Sequence, residues 1–146
     1  MQNFQRILVL SRSTRNCRKA VRIGISLARM NNAKLYVLHV FHDPFSMEGW
    51  NLPVPSFHDE YVKLVENHRK ELHDIISKEK SEGIDITEWV RDEKPLEETL
   101  KVVSSENIDL LIMLAHEEGR IEHFLFGQTN EGILRKMPCS VLMVKQ

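Results

Sequence analysis

The side chains best able to do chemistry lie late in the chain, where His116, Glu117 and Glu118 stand together with His123 close behind. An imidazole beside a carboxylate is the smallest pair that can run acid-base hydrolysis. With Arg12 and the loop residue His42, the same groups would make a mixed-charge pocket for a small anion or polar metabolite. An ion pair from Arg12 to Glu117 or Glu118 accounts for these residues without any reaction. His39 and His42, joined by His68 and His73, have a spacing that invites a metal reading. A metal needs three or four ligands converging on one point. His39 falls in a strand pattern and His68 on the apolar stripe of a helix, so no metal site is expected. Cys17 and Cys139 belong to no Cys-x-x-Cys pair and read as separate reduced thiols. There is no nucleophile elbow, Walker A lysine or Gly-x-Gly-x-x-Gly, so the residues support neither an enzyme nor a catalytic residue.

Five short apolar runs must carry these groups: Ile7 to Leu10, Leu35 to Phe41, Ile84 to Val90, Leu110 to Leu114 and Val141 to Val144. Several are nearly continuous rather than alternating, as strands buried on both faces of a parallel sheet require. Helical spacing fills the intervals. Cys17, Ala20, Gly24, Leu27 and Ala28 form one stripe behind a Ser13 or Thr14 cap, and Phe57, Tyr61, Leu64, His68, Leu72 and Ile75 form another. Leu96, Leu100 and Val103 line a third helix opened by Pro95, and Phe124 to Met137 reads as a fourth, stopped by Pro138. Alternation of strands and helices with right-handed crossovers predicts a doubly wound parallel sheet with helices on both faces. The one long irregular stretch, His42 to Ser56, follows the carboxyl end of the second strand, where such sheets place ligand loops. Within it, Phe45 and Trp50 read as loop anchors, or as a cap over an apolar ligand.

The 146 residues fit a single domain spanning 1–146, and 42% hydrophobic with 28% charged residues is ordinary for a globular chain. No apolar run approaches the roughly 20 residues that cross a bilayer, so no membrane association is expected. Met1 to Arg6 is polar and does not read as an export signal, so a cytoplasmic location is expected. Net charge is -1, but Arg6, Arg12, Arg15, Arg18, Lys19, Arg22, Arg29 and Lys34 all precede the first acidic residue, Asp43. A solvated helix face opposite an acidic neighbour explains that segment, and the overall balance argues against nucleic acid as a partner.

From Arg6 to Lys145 the chain resembles the universal stress protein family. The likeness rests on Ile7-Leu8-Val9, on Leu35 to Val40 ending in Leu38-His39-Val40, on Glu93-Lys94-Pro95, and on Asn107 to Met113. Gly127 to Val144, with Leu134-Arg135 and Pro138-Cys139-Ser140, is its most specific stretch. The resemblance implies an adenine-nucleotide alpha-hydrolase-like fold, a five-stranded parallel sheet of order 3-2-1-4-5, and a nucleotide crevice at the carboxyl ends of strands one and four. Many members bind ATP through an Asp in the first strand-to-helix loop and a Gly-x-x-Gly, nine residues, Gly-Ser/Thr motif after strand four. Glycines in such a loop let main-chain amides reach phosphate oxygens, and the helix that follows favours anions.

Here the motif is broken. Anchored on Gly127, it places Leu114 and Glu117 at the first two glycine positions and Gln128 at the hydroxyl position, while Arg12 aligns with the Asp. Glu117 and Glu118 would repel a triphosphate, and Arg12 substitutes a cationic donor for an acceptor. The chain is similar to the degenerate half of tandem-type members, where Met113-Leu114-Ala115-His116 and Leu134-Arg135-Lys136 have counterparts. The vestigial pocket would comprise Arg12, Val40, Leu114, His116, Glu117, Gly127, Gln128 and Thr129. The expectation is a stress-response binding or interaction module with no cofactor, meeting an unknown protein partner or small ligand. Two alternatives stand beside it: an ATP or AMP switch through a rearranged loop using Gly127, Thr129, Gly119 and Arg120, and a small hydrolase using His116 and Glu117. The final strand, with Val141, Leu142, Met143 and Val144, is an apolar edge in the implied order. Family resemblance pairs it with its own copy in a homodimer.

Overall fold

The computed structural model describes residues 3–12, 14–40, 55–91, 94–115 and 129–145, the side chains of 55–58 and 61 excepted. Its strands are β1 (Arg6–Ser11), β2 (Lys34–Val40), β3 (Ile86–Arg91), β4 (Leu110–Leu114) and β5 (Ser140–Val144). They form one parallel sheet in the order β3-β2-β1-β4-β5. The expected topology is therefore present, and the carboxyl ends of β1 and β4 are neighbours at the point where the winding reverses.

The helices are α1 (Cys17–Asn31), α2 (Pro55–Ser81) and α3 (Pro95–Ser105), with a fourth, α4, over 129–136. Strand alternation divides the core. Ile7, Val9, Leu35, Val37, Leu110 and Ile112 point to one face, where Ala20, Val21 and Ile25 of α1 and Leu72 and Ile76 of α2 cover them. Leu8, Leu10, Tyr36, Leu38, Leu111 and Met113 point to the other, beneath Val102 and Val103 of α3 and Ile133 of α4. Because β1, β2 and β4 are sandwiched, both residue parities had to be apolar, which is why those runs are nearly continuous.

α1 lies close to the sheet at Gly24. A Cβ there would stand 2.5 Å from Val9 Cγ2, so only glycine permits this approach without a shift. Pro95 occupies the first turn of α3 behind an extended Lys94, as its missing N–H suits. The basic face of α1 meets acidic residues on and just after α2: Arg18 pairs with Glu71, and Arg29 reaches Glu79 at 2.5 Å and, beyond the helix, Glu82 at 3.5 Å. The early cationic segment is, at these positions, one half of a helix-helix charge pairing.

Several sequence expectations need correction. The stripe of α2 holds at Leu72, which is buried, and at Ile75, which packs against the core, but not at Leu64, which is 53% exposed; Val65 and Ile76, each one position on, are buried instead of or beside the expected residues. α1 begins after Asn16 with no side-chain cap. Thr14 supplies its carbonyl to the Cys17 N–H, and its hydroxyl lies 3.3 Å from Cys17 Sγ. β3 starts at Ile86, two residues later than Ile84. Pro55 and Ser56 belong to α2 rather than to the irregular stretch. Ser13, residues 41–54, including Phe45 and Trp50, and 124–128 of the expected fourth helix lie outside the described residues.

Candidate functional site

The carboxyl edge of the sheet is assembled from Ser11 and Arg12 at the end of β1, Val40 at the end of β2, Leu114 and Ala115 at the end of β4, and Thr129 and Asn130, the first described residues of α4. Arg12 is half-buried, and its N–H donates to Cys17 Sγ at 3.3 Å. Val40 is buried among the α3 and α4 face residues, and Thr129 is buried as well. Leu114, expected from the sequence to stand at the first glycine position of the family motif, packs its side chain against the α1-side core. Its carbonyl accepts a 2.9 Å hydrogen bond from Asn130 Nδ2, and the next amide, Ala115 N–H, donates to Val144 O at 2.9 Å. Main chain at the tip of β4 is thus engaged inside the protein, on one side by α4 and on the other by β5. His116, Glu117, Gly127 and Gln128, together with Glu118, His123 and His42, lie outside the described residues.

On the α1 and α2 side, a polar chain runs across three strands. Ser11 and His39 are register partners on β1 and β2, and Glu88 on β3 pairs with Val37, two residues before His39 on the same face. His39 is 1% exposed. Its Nδ1 lies 3.0 Å from Ser11 Oγ and its Nε2 lies 2.8 Å from Glu88 Oε2. The second carboxylate oxygen of Glu88 is 2.5 Å from Nδ1 of His73 on α2, whose Nε2 is 3.4 Å from Ser77 Oγ. Burial by itself would raise the Glu88 pKa, but the hydrogen bonds and charges of His39 and His73 outweigh it and hold the carboxyl below its ordinary value. Outside this chain, α2 and β3 frame a cleft of about 310 Å³ lined by Glu66, Asn67, Arg69, Lys70, His73, Glu88 and Val90.

Sequence reasoning placed His39 in a strand and His73 among idle histidines, and it passed over Ser11 and Glu88. A weak signal was present, since Ser11 ends and His39 and Glu88 interrupt apolar strand patterns, although β3 carries Thr87 and Arg91 as well. Register was needed to bring the three onto one face. Among the described residues, no cluster of three or more His, Cys, Asp or Glu side chains has the makings of a metal site, and no helix is long and apolar enough to cross a membrane.

The family model described as "Universal stress protein family" matches residues 3–145. The chain belongs to the universal stress protein family. Universal stress protein MJ0577 of Methanocaldococcus jannaschii is 26% identical over 108 residues, which are 73% of this chain and 67% of that protein. Universal stress protein E of Photorhabdus laumondii is 27% identical over 147 aligned positions, covering 99% of this chain but 46% of its own length. This chain therefore spans about half of that relative. The solved MJ0577 structure superposes with a TM-score of 0.70 at 22% identity, covering 99% of this chain and 98% of that one. A universal stress protein solved in complex with cAMP superposes at 0.66 and 19% identity, covering 98% of each chain. At such identities the two structures speak for the fold, and cAMP is a ligand of that protein.

Proposed function

We propose that this universal stress protein is a homodimeric binding or interaction module that does not take up ATP through the family's phosphate loop. The observation that carries this reading is the state of the β4 tip. Leu114 stands where the motif has its first glycine, its side chain is packed into the core, and its carbonyl and the following amide are bonded to Asn130 and Val144. A phosphate loop needs bare, divergent amides at that point. A leucine Cβ and two intramolecular bonds oppose that use. Arg12 at the end of β1 supports the same reading, because a cation replaces the acceptor of ATP-binding members. Mass spectrometry of small molecules released from freshly purified protein tests it. No stoichiometric nucleotide is expected, and one ATP per chain would refute it.

For the dimer, the support is the position of β5, which has β4 as its sole neighbour among the described strands. Val141 and Leu142 are half-buried, Met143 is 36% exposed and Val144 is buried. Leu134 and Met137, on and just after the helix leading into β5, are also exposed. An apolar edge of this kind is covered in natural proteins. Light scattering at micromolar concentration should give twice the chain mass, and a monomer would count against the pairing. Cys17 and Cys139 are free thiols, which fits a reducing, cytoplasmic setting.

A second reading, a nucleotide switch, draws on the relative crystallised with cAMP. Calorimetric titration with ATP, AMP and cAMP separates the two: binding by any of them favours the switch. Absence of hydrolysis with phosphate mono- and diesters is expected under either.

A further inference from the structure

The Ser11, His39, Glu88 and His73 chain differs in kind at its two ends. At the inner end His39 is enclosed, and its two ring nitrogens are both engaged, by the Ser11 hydroxyl and the Glu88 carboxylate. Both ring nitrogens therefore have a partner, with donor and acceptor roles set by the tautomer. At the outer end the His73 side chain is 61% exposed, so charging it carries little desolvation cost. The carboxylate between them offers one oxygen to each ring. We propose that Glu88 and His73 form a proton-operated clamp that fastens α2 onto the edge strand β3 when His73 is charged and eases when it is neutral.

The physical basis is the difference between a charged and a neutral donor to one carboxylate. A charge-assisted bond is roughly twice as strong as a neutral one, and the histidine side chain is the one that ordinarily changes charge between pH 5 and 8. Glu88 supplies a fixed anion over that range, since its carboxyl is held below its usual value. The sign follows from both partners. Glu88 contributes stability above the unfolded glutamate value, and this is lost as pH falls through its lowered folded value. The His73 contribution is present when the ring is protonated and is lost as pH rises. Clamping is therefore strongest in mild acid.

Other charges around the pair come from α2: Glu66 and Arg69, which are ion-paired to each other, and Lys70, one turn before His73. Among the described residues, the bonded groups are Glu88 from β3 and, behind it, His39 from β2. Asp74, next in sequence to His73, is exposed. None of these supplies a second carboxylate bonded to His73, so Glu88 is the partner that titration of the ring would strengthen or weaken. His73 and Glu88 both line the 310 Å³ cleft, so the clamp lies in its wall.

Amide hydrogen exchange along α2, expressed as protection factors so that intrinsic pH effects cancel, reads the clamp directly. Protection of residues 70–77 should be roughly two- to fivefold higher at pH 5.5 than at pH 8, the size of a partly exposed ion pair. His73→Gln keeps a donor for Glu88 but cannot charge, so its protection ratio should be one. A second variant, Glu88→Gln, removes the anion instead of the cation, and its protection ratio should fall to one as well. A pH ratio in His73→Gln or in Glu88→Gln equal to that of wild type would overturn the proposal.

Discussion

Replacing Gly24 by alanine tests how α1 is seated on the sheet, and two opposing effects decide the outcome. Alanine improves helix propensity by about 1 kcal/mol over glycine. Against it stands the new Cβ, 2.5 Å from Val9 Cγ2, 3.3 Å from Leu35 Cδ1 and 3.7 Å from Ile112 Cδ1. Val9 is β-branched, fully buried and held in β1 between β2 and β4, so it cannot swing aside as a flexible chain end would. Overpacking of this kind costs about 1–3 kcal/mol. The net expectation is a destabilisation of about 1 kcal/mol, or about 2–4 °C in Tm for a chain of this size. Urea unfolding followed by tryptophan fluorescence, with a thermal scan by circular dichroism, measures it. Ser26, exposed on the same helix, is the control: Ser26→Ala should stabilise by a few tenths, about 0.5 kcal/mol. On a Val9→Ala background the Gly24→Ala penalty should disappear and leave the propensity gain, a coupling that a double-mutant cycle isolates. If Gly24→Ala stabilises the protein as Ser26→Ala does, close approach is not the reason for glycine.

Asn130→Ala removes the partner of the Leu114 carbonyl and should cost about 1–2 kcal/mol in urea unfolding while leaving any nucleotide affinity unchanged. Gly83, with φ of +98° after α2, should lose about 1 kcal/mol on substitution by alanine, although nothing crowds its Cβ position. The Cys139 thiol is pushed up, first by burial and then by the nearby Asp109 charge, with a hydrogen bond from the Leu111 backbone working the other way. Its thiolate is therefore scarce at neutral pH, and iodoacetamide should label the folded protein more slowly than free cysteine, with rates climbing as pH rises. Buried Cys17 should label only on unfolding.

The strands and the doubly wound topology were legible because central parallel strands must be apolar on both faces, a constraint written into consecutive residues such as Ile7 to Leu10 and Leu110 to Leu114. Pro95 marked the start of α3 because proline has few other roles there. The face of α2 was less legible. Long amphipathic helices tolerate stray apolar residues, and Leu64 drew the stripe one position away from Val65. Thr14 looked like a cap by residue type, yet its hydroxyl turned to the Cys17 sulfur.

At the candidate site, residue identity alone determined the steric and charge character of two positions: Leu114 carries a branched side chain at the end of β4 and Arg12 a cation just after β1. Proximity was decided only by tertiary structure. Ser11, His39, Glu88 and His73 are separated by as many as 49 positions between bonded partners, and neither periodicity nor spacing relates them. Parallel register sets three of them on one face, and helix packing brings the fourth. The Leu114 carbonyl found Asn130 in the same way. Local sequence carries steric and charge information residue by residue, but a hydrogen bond between distant segments exists only once burial of the apolar strands has chosen how they lie side by side.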